Sequence, residues 1–318
     1  MGHGLNALAV VMEGPGQLAL RRLPLGDPAP EEIVVDVDWS GISTGTERLL
    51  WSGKMPPFPG MGYPLVPGYE SVGRIREVGA KADSRHVGET VFVPGARCFG
   101  EVRGLFGGAA SRLVVPASRV TPVDPALGES AVLLALAATA RHALAARGAR
   151  APELIVGHGV LGRLLARLTL AEGAFSPTVW ERDATRVGGA ELYRVCAPED
   201  DPRRDYGSVY DVSGDPGILD ALMGRLAPGG EVVLAGFYPG PVQFDFAAAF
   251  MREARIRIAA EWKDADLQAV LAHIAAGRLS LDGLITHRRE AGAADEAYRQ
   301  AFGDAACLKM ILDWRHAA

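Results

Sequence analysis

The chain has 318 residues, 48% hydrophobic and 22% charged, with 33 Lys and Arg against 38 Asp and Glu and a formal net charge of -5. That length accommodates two domains with substantial cores, and the mildly acidic balance gives no electrostatic reason for nucleic-acid binding. No apolar stretch reaches the about 20 residues of a membrane helix, the N-terminus shows no export pattern, and three isolated cysteines (Cys98, Cys196, Cys307) predict reduced thiols in a cytoplasmic protein.

Residues up to about 125 read as β-rich and loop-rich, with strand propensity concentrated at 32–39, 71–78 and 111–115. Glycine and proline punctuate 54–68, where turns should dominate. An alanine-rich stretch at 127–144, interrupted by Glu129 and Arg141, predicts a buried helix. From about 130 the texture changes to alternating strands and helices. Strands are expected at 154–156, 178–181, 208–213, 231–236, 256–260 and 308–312. One helix would carry Ile218, Leu219, Leu222, Met223 and Leu226 on a single face and stop at Gly229-Gly230; another would be amphipathic over 267–274. Such alternation predicts an α/β protein with a parallel, doubly wound sheet.

The most specific stretch is Gly157-His158-Gly159-Val160-Leu161-Gly162. An apolar run enters it and a helical pattern leaves it. Leu161, Leu164, Leu165 and Leu168 form the apolar face, while Arg163 and Arg167 are expected to turn outward. Strand, glycine turn and helix are the context of a dinucleotide fingerprint, in which the glycines allow a tight turn, close approach to a pyrophosphate and helix–strand packing. Glu181 ends the next apolar segment, where a strand-end acid would bind the adenosine ribose hydroxyls. Its charge favours NAD over NADP, although Arg182 beside it would suit a 2′-phosphate.

Several motifs resemble the medium-chain dehydrogenase/reductase superfamily over nearly the whole chain. They are Gly41-Ile-Ser-Thr-Gly-Thr-Glu47, Val66-Pro-Gly-Tyr-Glu-Ser-Val-Gly73, Gly88-Glu-Thr-Val-Phe-Val-Pro94, the block from Phe106 to Pro116, the glycine turn, Leu226-Ala-Pro-Gly-Gly230 and Leu308-Lys309. The resemblance implies a GroES-like β-rich substrate domain (1–135), a Rossmann domain (136–262) and a return segment completing the first domain (263–318), with an active site in the cleft between domains. Zinc members of the superfamily carry ligands where this chain has Ser43, Tyr69 and Ala135. Serine and tyrosine are poor zinc ligands and alanine is none, and the seven histidines show no ligand spacing, so a zinc-free enzyme is expected.

The longer wording from Trp39 to Glu70, with 102–112 and 280–287, resembles a branch of the superfamily that acts on a tetrapyrrole substrate of bacteriochlorophyllide type. Members of that branch oxidise a 3-(1-hydroxyethyl) substituent to 3-acetyl. The resemblance then implies hydride transfer to NAD, with Tyr69 first and Ser43 second as proton-relay residues. Glu70 would orient Tyr69 or pair with an arginine. Gly157, Gly159, Gly162, Glu181, Thr139 and Lys309 would hold the cofactor, Lys309 by reaching back to the phosphates. Trp51, Met55, Phe58, Met61 and Tyr63 could form an apolar wall for a chlorin face, or pin an irregular loop. Arg48, Arg103 and Arg112 are candidates for a substrate propionate. A homodimer joined along the sheet edge near 255–260 is also expected. Three alternatives stand beside this reading: an NADPH-dependent quinone or alkene reductase, a methyltransferase (against which the N-terminal motifs weigh), and a non-catalytic nucleotide or pigment carrier.

Overall fold

A computed structural model describes residues 4–57, 59–82, 84–190 and 192–317. The chain divides into two compact units, residues 1–134 with 284–318, and residues 135–283.

In chain order the first unit contains strands β1 (Asn6–Gly14), β2 (Gln17–Pro24) and β3 (Glu32–Ile42), followed by helix α1 (Thr46–Trp51). Then come β4 (Leu65–Val66), β5 (Ser71–Val78), β6 (Thr90–Val93), β7 (Arg103–Gly104), β8 (Arg112–Pro116) and β9 (Thr121–Pro122). Helix α2 (Leu134–Leu144) leads into the second unit, which holds β10 (Leu154–Val156), α3 (Val160–Ala171), β11 (Thr178–Trp180), β12 (Arg194–Cys196) and β13 (Tyr206–Asp211). It continues with α4 (Leu219–Met223), β14 (Leu226–Leu234), α5 (Phe246–Met251), β15 (Arg255–Ile258) and α6 (Asp264–Ala275). The chain returns to the first unit through β16 (His287–Glu290), α7 (Ala294–Gly303) and β17 (Met310–Asp313).

β3 organises the first unit. It pairs antiparallel with β5, β8 and β17, and Ile33, Val34, Val35, Val37 and Ile42 along it are buried. A separate sheet in the order β2-β1-β4-β7 completes the β-rich body. The returning β17 brings Lys309, the residue just before it, next to Ile42 at the end of β3. Helix α7 packs through Ala294, Ala297, Tyr298 and Ala301, and the three small side chains let the helix approach closely.

All six strands of the second unit are parallel, in the order β12-β11-β10-β13-β14-β15. The chain steps outward from β10 to β12, then restarts on the other side at β13. The junction between β10 and β13 is therefore the topological switch point, and the crevice beyond the carboxyl ends of those two strands is where such sheets bind ligands. The α/β class, the β-rich domain and the doubly wound sheet agree with expectation.

Four expectations fail locally. Residues 127–144 are not one helix, because Gly128 at φ 51° breaks the run and a 3₁₀ segment (Pro125–Leu133) precedes α2. Leu226 opens β14 rather than ending a helix: the pairing with β13 jumps from Tyr206↔Leu226 to Ser208↔Glu231, so Gly229-Gly230 lie in a bulge. The chain re-enters the first unit at Leu284, not at 263, since α6 belongs with the parallel sheet. Arg163 does not face solvent. It is buried on α3 and donates to the carbonyls of His158 (3.0 Å) and Arg186 (2.7 Å). The β1–β2 hairpin was not foreseen among the predicted strands.

Candidate functional site

The glycine turn has the geometry its sequence predicts. β10 is buried along its length and delivers Gly157 at φ +104°, a conformation side chains rarely adopt. Gly159 sits at the N-cap of α3. A Cβ at Gly162 would overlap the Gly157 carbonyl oxygen, so only glycine lets the helix lie this close to the turn. The residues thus fit a dinucleotide: a glycine-rich turn, whose one side chain, His158, is buried, opens onto a helix N-terminus at the switch point. Glu181 joins this turn. Its carboxylate accepts from the backbone N–H of His158 (3.0 Å) and of Asp183 (2.9 Å). Thr139, on α2, donates its hydroxyl to the Ala135 carbonyl (2.9 Å).

His158 braces the same turn from beneath. Its Nδ1 lies 2.6 Å from the Arg186 carbonyl oxygen, which can only accept, so Nδ1 carries the proton and Nε2 accepts from the Tyr193 hydroxyl (2.9 Å). Burial lowers its pKa to about 4, which keeps the ring neutral. At the end of β13, in register with Val156, Asp211 accepts from Ser213 N–H (2.9 Å) and the Tyr238 hydroxyl (2.6 Å). Burial raises its pKa. Sequence reasoning passed over Asp211, although an acid closing an apolar strand beside the switch point was a readable signal.

In the first unit the two former-ligand positions meet. Ser43 Oγ and the Tyr69 hydroxyl lie 2.7 Å apart, and either can donate. Thr46 lies beside the same phenol, and the Tyr69 ring meets Phe106 edge-on at 5.4 Å. Burial, then the nearby Glu70 charge, push the Tyr69 pKa well above its ordinary value, so the group is a phenol and not a phenolate.

Glu70 neither orients Tyr69 nor meets an arginine. Its Oε2 accepts from Lys309 Nζ at 2.6 Å, and the same ammonium donates to the Ile42 carbonyl at 3.1 Å. Both side chains are buried, and a Cβ at Gly41 would strike the carboxylate. Lys309, expected to reach back to the cofactor phosphates, instead has its charge claimed by a buried carboxylate behind Ser43. Glu47, also missed, is the other acid of this cluster. It accepts from Ser43 N–H (3.1 Å) and from the Tyr298 hydroxyl (2.6 Å). Burial raises its pKa from 4.5 to about 7.

Trp51, Met55, Met61 and Tyr63 are half-buried and pack against the first unit's core. Trp51 lies 6.3 Å from the Phe302 ring with the Arg299 guanidinium 5.4 Å from its centroid, and Tyr63 donates to the Leu50 carbonyl. Phe58 lies outside the described residues. Arg112 is engaged by Asp36 at 2.6 Å, whereas Arg48 and Arg103 are exposed.

The donor set at Ser43 and Tyr69, with Ala135 in the second unit, does not fit zinc, which takes thiolate, imidazole or carboxylate. Among the described residues no group of three or more His, Cys, Asp or Glu is arranged to hold a metal ion.

Glu47 has a consequence for stability. Its folded pKa of about 7 lies above the unfolded 4.5, so between these values the unfolded state binds fewer protons than the folded state. The contribution of Glu47 to stability should therefore be full below pH 4.5, fall by roughly 3 kcal/mol as the pH rises to about 7, and be level above that. Glu47→Gln should remove this slope from the pH dependence of the melting temperature. An unchanged slope would show that Glu47 ionises as easily folded as unfolded.

Residues 29–125 match the alcohol dehydrogenase GroES-like domain family. The chain is 60% identical over 314 residues to 2-desacetyl-2-hydroxyethyl bacteriochlorophyllide A dehydrogenase of Rhodobacter capsulatus, covering 98% of this chain and 100% of that one. It is 57% identical to the protein of the same name from Cereibacter sphaeroides, covering 99% and 100%. Among solved structures, an alcohol dehydrogenase from Escherichia coli CFT073, complexed with NADH, superposes with a TM-score of 0.82 at 22% identity, covering 98% and 100%. The 2R,3R-butanediol dehydrogenase of Bacillus subtilis does so with 0.82 at 18%, covering 96% and 99%; at such identities the likeness is one of fold.

Proposed function

We infer the reaction from the premise that this chain belongs to the bacteriochlorophyllide a dehydrogenase family of the medium-chain dehydrogenase/reductase superfamily. It is an oxidoreductase of bacteriochlorophyll biosynthesis that oxidises the hydroxyethyl group of a bacteriochlorophyllide to acetyl. The observation that carries the mechanism is the Ser43–Tyr69 hydroxyl pair at 2.7 Å where zinc ligands would stand.

The secondary alcohol loses a hydride from its carbinol carbon and a proton from its hydroxyl. A bound nicotinamide dinucleotide supplies the hydride acceptor. Gly157, Gly159 and Gly162 would hold its pyrophosphate, with Thr139 contributing on the nicotinamide side. Tyr69, kept protonated, takes the alcohol's proton on its oxygen while passing its own along the hydrogen bond to Ser43, and thence to solvent. No charged phenolate has to form. Hydrogen-bond donation from the pair to the developing alkoxide replaces the Lewis acid. Conjugation of the product ketone with the macrocycle lowers what the protein must supply. Trp51, Met55, Phe58 and Tyr63 are proposed as the apolar side of the substrate site. Turnover is tested by incubating the protein with NAD and the hydroxyethyl bacteriochlorophyllide in the presence of a chelator. An absorbance shift to the acetyl product is expected, and no shift with either NAD or NADP would overturn the assignment.

NAD is the proposed cofactor because Glu181 places a carboxylate at the glycine turn, where it would accept from ribose hydroxyls and repel a 2′-phosphate. A charge-assisted hydrogen bond contributes about 1.5–3 kcal/mol, so Glu181→Ala should lower the NAD/NADP ratio of kcat/KM by roughly ten- to a hundredfold. An unchanged ratio would remove Glu181 from cofactor selection.

A homodimer is proposed through β15. It is one of the sheet's two edge strands, with Ile256 38% and Ile258 68% exposed, and an uncovered apolar edge is a pairing surface. Light scattering at micromolar concentration should give twice the chain mass, with Ile258→Lys shifting it toward one; a monomer for the unmodified chain would refute the pairing. The three free thiols support a cytoplasmic setting.

A further inference from the structure

Behind the hydroxyl pair lies a buried charge cluster that the relay does not use. Ser43 is tied into it on every side. Its N–H donates to Glu47, its carbonyl accepts from the Glu47 N–H (3.1 Å), and the carbonyl of the preceding Ile42 accepts from Lys309. The groups around Glu47 come from four parts of the unit: Thr46 and Ser43 at the start of α1, Tyr69 and Glu70 before β5, Tyr298 on α7, and Lys309 before β17. Two carboxyls and one ammonium are thus enclosed together, with Glu47 and Lys309 each 1% exposed and Glu70 0%. Lys309 pairs directly with Glu70 at 2.6 Å. Glu47 has only neutral donors, and a buried carboxylate without a cation of its own is costly. One of the two acids must hold a proton readily, and the geometry selects Glu47.

We propose that Glu47 is a positioning residue of the oxidation, holding an exchangeable proton beside Ser43 and Tyr69 and so setting the pH dependence of the reaction. This rests on the reading of that hydroxyl pair as the proton relay. When Glu47 is ionised, its negative charge makes the nearby hydroxyl oxygens more willing to accept a proton and grips the Ser43 N–H more tightly. Removal of the alcohol's proton is then favoured. When Glu47 is protonated, both effects weaken. Its burial-raised pKa of about 7 puts the change at neutral pH. Oxidation should therefore speed up as the pH rises through 7.

The test measures kcat for oxidation against pH in the unmodified enzyme, in Glu47→Gln and in Tyr298→Phe, alongside the infrared carbonyl band of a protonated carboxyl. The unmodified enzyme should show a rise in kcat centred near pH 7, and a carboxyl band that disappears over the same range. Glu47→Gln should lose the band and flatten the profile at its low-pH level. Tyr298→Phe removes a donor that favours the anion, so it should move both midpoints up by about one pH unit; a merely structural role would lower kcat without moving them. Persistence of the rise or of the band in Glu47→Gln overturns the proposal, as does an unmoved midpoint in Tyr298→Phe. A titrating band that Glu47→Gln removes, in a protein that does not oxidise the hydroxyethyl substrate, would confirm the proton on Glu47 and sink the substrate reading instead.

Discussion

Lys309→Met should destabilise the protein by about 3–5 kcal/mol at neutral pH without raising KM for NAD. The substitution keeps most of the side-chain volume but leaves Glu70, 0% exposed, with no counter-charge. Removing one partner of a buried pair costs that much because the other charge stays behind. The Ile42 carbonyl loses its donor as well. The loss should shrink in acid. Burial already raises the Glu70 pKa, and removing Lys309 raises it further; the added penalty therefore grows only as the pH rises past the folded pKa that Glu70 has beside Lys309, and is small below it. Lys309→Met with Glu70→Gln, which removes both charges, should recover most of the stability. Denaturant melts of the two variants decide the matter. If Lys309→Met costs under 1 kcal/mol and raises KM for NAD, the lysine serves the phosphates as the sequence suggested, and the buried pair is incidental.

The contrast between Lys309 and Glu181 shows what could be read from the sequence and what could not. The meeting of Glu181 with the turn at Gly157, Gly159 and Gly162 rests on local geometry. A strand of known length, a turn needing φ above zero and a helix that must approach closely all lie within one contiguous segment, so spacing locates them. The long-range partners follow a different rule. Glu70 meets Lys309 across 239 residues, and Tyr298 meets Glu47 across 251. The order of the segments and a strand at 308–312 imply a return of the chain to the first unit, but nothing in their periodicity says which charges it will bury. Arg163 makes the same point within a helix. Its place on the helix predicts a solvent face, but the Arg186 carbonyl, 23 residues on, accepts from its guanidinium. Helix α4 is shorter than its apolar run suggests because β14 takes Leu226 into the sheet. Pattern rules assume an element continues until a breaker stops it, and here strand pairing ended it first.

Tyr69→Phe should lower kcat by about 10²–10⁴-fold with KM for the tetrapyrrole little changed, the range lost with a positioned proton-transfer group. The variant is a clean test because the ring keeps its edge contact with Phe106 and only the hydroxyl, bonded to Ser43 at 2.7 Å, is removed. Ser43→Ala should cost less, since Tyr69 would still face the substrate and could pass its proton to water. The double variant should be no slower than Tyr69→Phe alone, because two groups on one proton path act as a unit. The unmodified enzyme should show no change of kcat between pH 8 and 10 that Tyr69→Phe abolishes, since the Tyr69 phenol is held well above its ordinary range by burial and by Glu70. The competing account makes both hydroxyls space-fillers left where zinc ligands stood. It predicts that Tyr69→Phe retains kcat within about threefold and that the losses in the two single variants simply multiply. Either of those results would move the proton path away from this pair, and stabilisation of the alkoxide would have to come from elsewhere in the protein.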